Sequence, residues 1–260
     1  MLTPKQIASA FVDVGYKKAT MPITRMFVLG IFAGIFIALA GAGSAIASAM
    51  VENPSVARFL NSLVFPAGLV MVLLAGSELF TGNSLMIIAV LKKKITIAQM
   101  LKNWSIVYVG NLLGSLFVVL LFVYGHIPDL FSQQLAQVMV QTAQAKVQLS
   151  FVDALLRGIL CNVLVCIAVW VAMAATSAHG KIVALYLPIV VFVLCGFEHC
   201  VANMFCIPAG YMAAMEYGIS SSIDAYGFFI TNLVPVTIGN ILGGCLIGIG
   251  YWYCYLKEEA

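Results

Sequence analysis

Six runs of mainly apolar residues, each long enough to cross a bilayer, dominate the sequence: 26–50, 62–91, 104–125, 151–177, 182–215 and 227–256. A helix spanning a hydrocarbon core of ~30 Å needs about 20 such residues. Composition agrees, since 63% of the 260 residues are hydrophobic and 9% charged, where a soluble domain carries roughly a quarter charged. Thirteen Lys and Arg with ten Asp and Glu cannot clothe a water-facing surface of this size. The fold class expected is all-α integral membrane, solvated mostly by lipid.

The segments between the runs are short. Residues 1–24 place Lys5, Asp13, Lys17 and Lys18 among apolar positions, without the apolar core and cleavage site of a signal peptide. They form an amphipathic cytoplasmic lead-in. The external linker 126–149 is polar and Gln-rich, suggesting a short surface helix outside the membrane that ends at Lys146. No basic run long enough to track a nucleic acid occurs. The seven cysteines fall almost wholly in apolar stretches and include no CxxC pair, so they read as small buried hydrophobes. The Cys195, Cys200, Cys206 and His199 constellation matches no zinc spacing, and no metal or cofactor is expected.

Cations gather towards cytoplasmic ends of spans. With six spans both termini share a face, and Lys5, Lys17, Lys18, Arg25, Lys92, Lys93, Lys94, Lys102, Lys181 and Lys257 lie on it. Arg58, Lys146 and Arg157 lie on the other. Both termini are thus expected in the cytoplasm.

The chain also repeats itself. Gly110-Asn111-Leu112-Leu113-Gly114 in the third run returns as Gly239-Asn240-Ile241-Leu242-Gly243 in the sixth, 129 positions on. Gly76, Glu78 and Asn83 in the second return as Gly196, Glu198 and Asn203 in the fifth, 120 positions on, and a proline precedes each set at Pro66 and Pro188. Gly30 echoes Gly158 more weakly. The chain is therefore one transmembrane channel domain made of repeat A (25–125) and repeat B (150–256). Three spans per copy force the second copy into the membrane the opposite way up, a transporter and channel architecture.

The second and fifth runs hold 30 and 34 residues; as straight helices they would measure ~45 Å or more. Each is expected to break at mid-depth, where irregular backbone is tolerated only against protein or a water-filled cavity. Two broken helices meeting there point to a permeation site, and their half-helix N-termini favour an anion. Glu78 and Glu198, being symmetric, are expected to lock the loops by accepting hydrogen bonds from unwound backbone, while Asn83 and Asn203 cap the second half-helices. His199 aligns with Leu79 and Thr81 with Val201. Function should sit where symmetry breaks, because both copies share scaffold needs. His199 is then a proton or hydrogen-bond donor to a small anion, though a membrane histidine also serves as a packing group. Leu79, Phe80 and Phe197 flank the breaks as candidate apolar constrictions. Lys146 can enrich anions in an external vestibule, Arg157 can snorkel, and Asn162, deep in the fourth run, needs a polar partner.

At Gly76–Asn83 (GSELFTGN), Lys102–Gly114 (KNWSIVYVGNLLG), Gly158–Trp170 (GILCNVLVCIAVW), Gly196–Phe205 (GFEHCVANMF) and Asn232–Gly244 (NLVPVTIGNILGG) the sequence resembles the formate–nitrite transporter family. The resemblance covers about residues 5–256. It implies an aquaporin-like protomer of six spans, assembled as a homopentamer with one pore per protomer in the bacterial inner membrane. It implies passage of small monovalent anions or their acids, among them formate, nitrite and hydrosulfide, with proton coupling open. It maps a central His and its Thr partner onto His199 and Thr81, a vestibule Lys onto Lys146 and a pore Asn onto Asn162. Constriction residues map onto Leu69, Leu79, Val165 and Phe192. Gly82 and Asn83 depart from members carrying Ser and Thr there, so the subgroup, and with it the substrate, does not carry over.

The rivals are a neutral-solute pore for water or glycerol, against which the Asn-Pro-Ala words are absent, and a membrane-embedded enzyme using Glu78, Glu198 and His199 as a proton relay. No nucleophile, metal set or cofactor motif supports the enzyme, and no catalytic residue is assigned.

Overall fold

The computed structural model describes residues 1–257, and every regular element among them is helical. In chain order these are α1 (Pro4–Thr20), α2 (Ile23–Ser48), α3 (Pro54–Val64), α4 (Pro66–Ala75), α5 (Ile87–Leu91), α6 (Ile97–Tyr124), α7 (Gln134–Val147), α8 (Phe151–Ala174), α9 (Ala178–Leu194), α10 (Cys200–Glu216) and α11 (Val234–Tyr255). A 3-10 turn, Gly82–Met86, leads into α5, and a π turn, Gly227–Leu233, leads into α11.

Local chemistry sets the starts. Thr3 with Gln6 and Thr96 with Gln99 form reciprocal capping boxes for α1 and α6. Asn53 caps α3 by accepting from the Ser55 and Val56 backbone, with Pro54 at the first helical position. That cap starts the second span at 54, ahead of the apolar run at 62. Phe65 keeps right-handed helical angles, so α3 and α4 run on as one helix.

Five stretches are long and apolar enough to cross a membrane: α2, α3–α4, α6, α8 and the π turn with α11. α9 is shorter, with 17 residues, and α10 follows it after a break. Many large apolar side chains face outward along these helices, including Phe32, Phe117, Leu121, Leu187 and Leu246. That surface suits lipid or a neighbouring subunit, and the protein is a multi-pass membrane protein.

Two helix crossings organise the interior. α2 meets α6 and α8 meets α11 so closely that a Cβ on Gly34 or Gly114, or on Gly239 or Gly243, would collide with a backbone carbonyl of the facing helix. Small residues at such crossings let backbones approach where lipid offers no hydrophobic drive for association.

α1 and α7 correspond to one another at opposite ends of the bundle. α6 links the ends, with Asn103 near its start bonded to the Lys18 carbonyl and Val123 near its end packed with Leu135 of α7. At 28 residues it is ~40 Å long. The linker is therefore more than a surface helix: Leu135, Ala136, Met139, Val140 and Ala143 of α7 are buried, largely against α10. The lead-in likewise buries Ile7, Ala8, Phe11 and Val12. Two cysteines depart from the buried reading, Cys195 and Cys254 being exposed.

Candidate functional site

Each broken helix ends on a left-handed glycine, Gly76 at φ +83° and Gly196 at φ +70°, a conformation that glycine alone adopts without strain. Beyond them the backbone loses its helical partners, and a side chain from the crossing helix supplies new ones. Asn111 accepts from the Phe80 N–H at 3.0 Å and donates to the Glu78 carbonyl at 2.9 Å and the Gly30 carbonyl at 2.8 Å. Asn240 accepts from the Cys200 N–H at 2.9 Å and donates to the Glu198 and Gly158 carbonyls at 2.9 and 2.8 Å. A buried group left unpaired costs ~1–3 kcal/mol, so each amide, partnering two loop backbone groups, offsets about twice that penalty.

This corrects the expected roles of the acidic residues. Glu78 and Glu198 accept from side chains instead of loop backbone. Glu78 takes Lys18 at 2.6 Å and Asn83 at 2.8 Å; Glu198 takes Lys146 at 2.8 Å and Asn203 at 2.6 Å. Nor do Asn83 and Asn203 cap helices: their amides are committed to these carboxylates and to the oxygens of Asn103 and Asn232. A carboxylate with 4–5% exposure requires a cation and further donors, and that demand outcompetes a neutral cap. Asn103 and Asn232 close each cluster on the carbonyl of the same lysine.

Lys146 is thus an ion-pair partner and not a free vestibule charge. Burial presses its pKa down and the Glu198 carboxylate raises it, with a net rise, so it remains an ammonium. Its counterpart is Lys18, 128 positions earlier, which by sequence groups with the other N-terminal lysines. The signal was present: Gly30 and Gly158 are offset by the same amount.

Among the positions at which the breaks differ are His199 against Leu79 and Thr81 against Val201. His199 caps α10, its Nδ1 accepting from the Ala202 N–H at 3.0 Å. A neutral imidazole accepting at Nδ1 carries its proton on Nε2, and Nε2 lies 2.9 Å from Thr81 Oγ1. The structure therefore joins the two symmetry-breaking positions, one from each break, across the bundle. Asn162 holds the Thr81 side, donating to the Thr81 carbonyl and Ser84 Oγ at 3.2 Å each and to the Asn240 carbonyl at 2.6 Å. Its place in repeat A is Gly34, and Gly244 makes room for it where repeat A has Ser115.

His199 borders a chamber of about 10 Å³ with Leu69, Leu79, Val165 and Phe192; Ile37, Phe65 and Ile189 complete it. That is room for about one water-sized body. A second cavity of about 120 Å³ lies towards α1 and is lined by Lys18, Ser77, Asn83 and apolar side chains. Leu69 and Leu79 line both cavities and separate them. Phe65, Ile37 and Ile189 were not anticipated; the i to i+4 spacing of Phe65 and Leu69 is the cue that places the former. Phe197 does not line the chamber, packing half-buried at the edge of the core instead. Phe80 packs edge-on against Trp104 and Tyr108, because its backbone is held by Asn111 with the ring turned away.

Comparison with known proteins identifies the family. A sequence model described as formate/nitrite transporter matches residues 5–254. The chain is 38% identical to the uncharacterized transporter YrhG of Bacillus subtilis, over 98% of this chain and 94% of that one. It is 36% identical to the formate channel FocA of Escherichia coli K12, over 100% and 96%. A solved pentameric formate channel with formate bound superposes with a TM-score of 0.80 at 34% identity, over 93% of this chain and 99% of that one. Similarity over the whole length, together with the paired breaks, makes this chain a member of the formate/nitrite transporter family, a family of transporters and not of enzymes.

Proposed function

We propose that the protein is a channel for formate or a comparably small monovalent anion such as nitrite or hydrosulfide, assembled as a homopentamer in a bacterial inner membrane with both termini cytoplasmic. The observation that carries this is the His199–Thr81 pair at an apolar chamber of single-molecule size. Because Nε2–H donates to Thr81 Oγ1, the threonine hydroxyl keeps its own proton to offer an anion. The N-terminus of α10, a helix of 17 residues, begins at the same point, and its dipole favours negative charge. Leu69, Leu79, Val165 and Phe192 are the proposed constriction. Asn162 positions Thr81, while Glu78, Glu198, Asn83 and Asn203 are structural.

Protonating the ring would place a proton on Nδ1 and break the Ala202 bond. The cap therefore favours hydrogen bonding by a neutral histidine over proton transfer from an imidazolium. Planar-bilayer currents with formate, nitrite, hydrosulfide and chloride gradients test the proposal. Selective anion current lost in His199→Asn supports it; glycerol flux without anion flux overturns it in favour of a neutral-solute pore.

A further inference from the structure

Break two carries a charge that break one lacks. Beside Gly196, Arg58 of α3 reaches in so far that its Nη1 lies 3.0 Å from where a Cβ would stand, whereas nothing lies within 4 Å of the same point at Gly76. In the other half, Arg58's place is taken by Ala178, 120 positions on. Arg58 is exposed and makes no ion pair or hydrogen bond among the described residues, unlike Lys146, whose charge Glu198 neutralises.

Helical spacing places Arg58 on the pore side. Arg58, Phe65 and Leu69 are separated by seven and four residues, which puts them on one stripe of the continuous α3–α4 helix. Phe65 and Leu69 border the His199 chamber, so Arg58 stands two turns, ~10 Å, beyond it on the same stripe. Gly196 is three residues before His199 along the opposing wall.

We infer that Arg58, and not Lys146, is the free cation that concentrates anions at the pore mouth on the α7 side. The inference rests on the anion-channel reading. An uncompensated charge at a pore mouth raises the local concentration of counter-ions, and mobile salt screens it. The Debye length falls from ~30 Å at 0.01 M to ~3 Å at 1 M.

The full chain in proteoliposomes tests this through initial formate influx at both ionic strengths, set with an impermeant salt. Arg58→Gln is expected to be several-fold slower than wild type at ~0.01 M and equal to it at ~1 M, with Arg58→Lys close to wild type throughout. An Arg58→Gln rate equal to wild type at ~0.01 M overturns the inference. So does a loss that is the same at both salts and not rescued by lysine, since that marks a strut for Gly196. A wild type carrying no anion overturns the functional reading and this inference together.

Discussion

The two breaks are built from the same parts to within a few tenths of an ångström, yet one ends in leucine and the other in histidine. Around Gly76 and Gly196 the Asn bridges, the Lys–Glu–Asn–Asn clusters and the anchoring bonds of Glu78 N–H to Leu29 and Glu198 N–H to Arg157 correspond one to one. Even Tyr108 and Thr237, equivalent positions in the two copies, bond to each other at 3.0 Å. Departures from this symmetry include His199 against Leu79, Thr81 against Val201, Asn162 against Gly34 and Arg58 against Ala178. Holding a helix open inside a membrane is a problem both halves share, and both solve it alike. On the proposed function, contact with a solute that passes once through the middle falls to residues that differ.

If the scaffolds are equivalent, Asn111→Leu and Asn240→Leu must be equally severe. Each leaves two buried loop backbone groups without partners at ~1–3 kcal/mol apiece, a large share of a typical 5–15 kcal/mol. Neither variant is expected to yield folded protein by size-exclusion chromatography in detergent. A folded Asn240→Leu beside an unfolded Asn111→Leu would break the comparison.

The ion pairs come next. Lys18→Met and Lys146→Met each strand a buried carboxylate, costing about 3 kcal/mol, the low end because the lysines keep 22% and 18% exposure. Adding Glu78→Gln or Glu198→Gln to the matching variant is expected to recover most of the loss, read as thermal unfolding midpoint.

Substitutions at His199 separate scaffold from solute contact. His199→Asn keeps a good helix cap and removes the Thr81 bond, so formate flux is expected to fall at least about tenfold, ~1.4 kcal/mol in barrier, with little change in unfolding. His199→Leu makes the two breaks alike; it loses the same flux and, in addition, about 1 kcal/mol of capping. Equal flux in wild type and His199→Asn would remove the histidine from solute contact. The smallest effect is at the symmetry axis, where Tyr108→Phe deletes one hydrogen bond worth about 1 kcal/mol and leaves flux unchanged.

Much of this site could be read before any coordinates. The breaks were visible because apolar runs too long for a bilayer contained Gly-x-Glu words, and His199 and Thr81 stood out because the repeat made their mismatch countable. The partners of Asn111 and Asn240 were not visible, although both lie in the most obvious repeated word. Nothing in a linear pattern says that an amide on one helix faces a carbonyl 81 positions away, as Asn111 does with Gly30. The same limit applies to Lys146: a lone cation before a span looks free until Glu198 is placed beside it.

The sequence by itself determined that the chain is membrane-embedded, helical, duplicated and broken at two points, because lipid leaves an apolar chain few other ways to satisfy its backbone. Tertiary structure alone decided which polar group answers which. The glycine crossings set how near the helices come, and at that spacing the amides of Asn111 and Asn240 reach the open backbone, the lysines reach the glutamates, and Arg58 is left without a partner among the described residues.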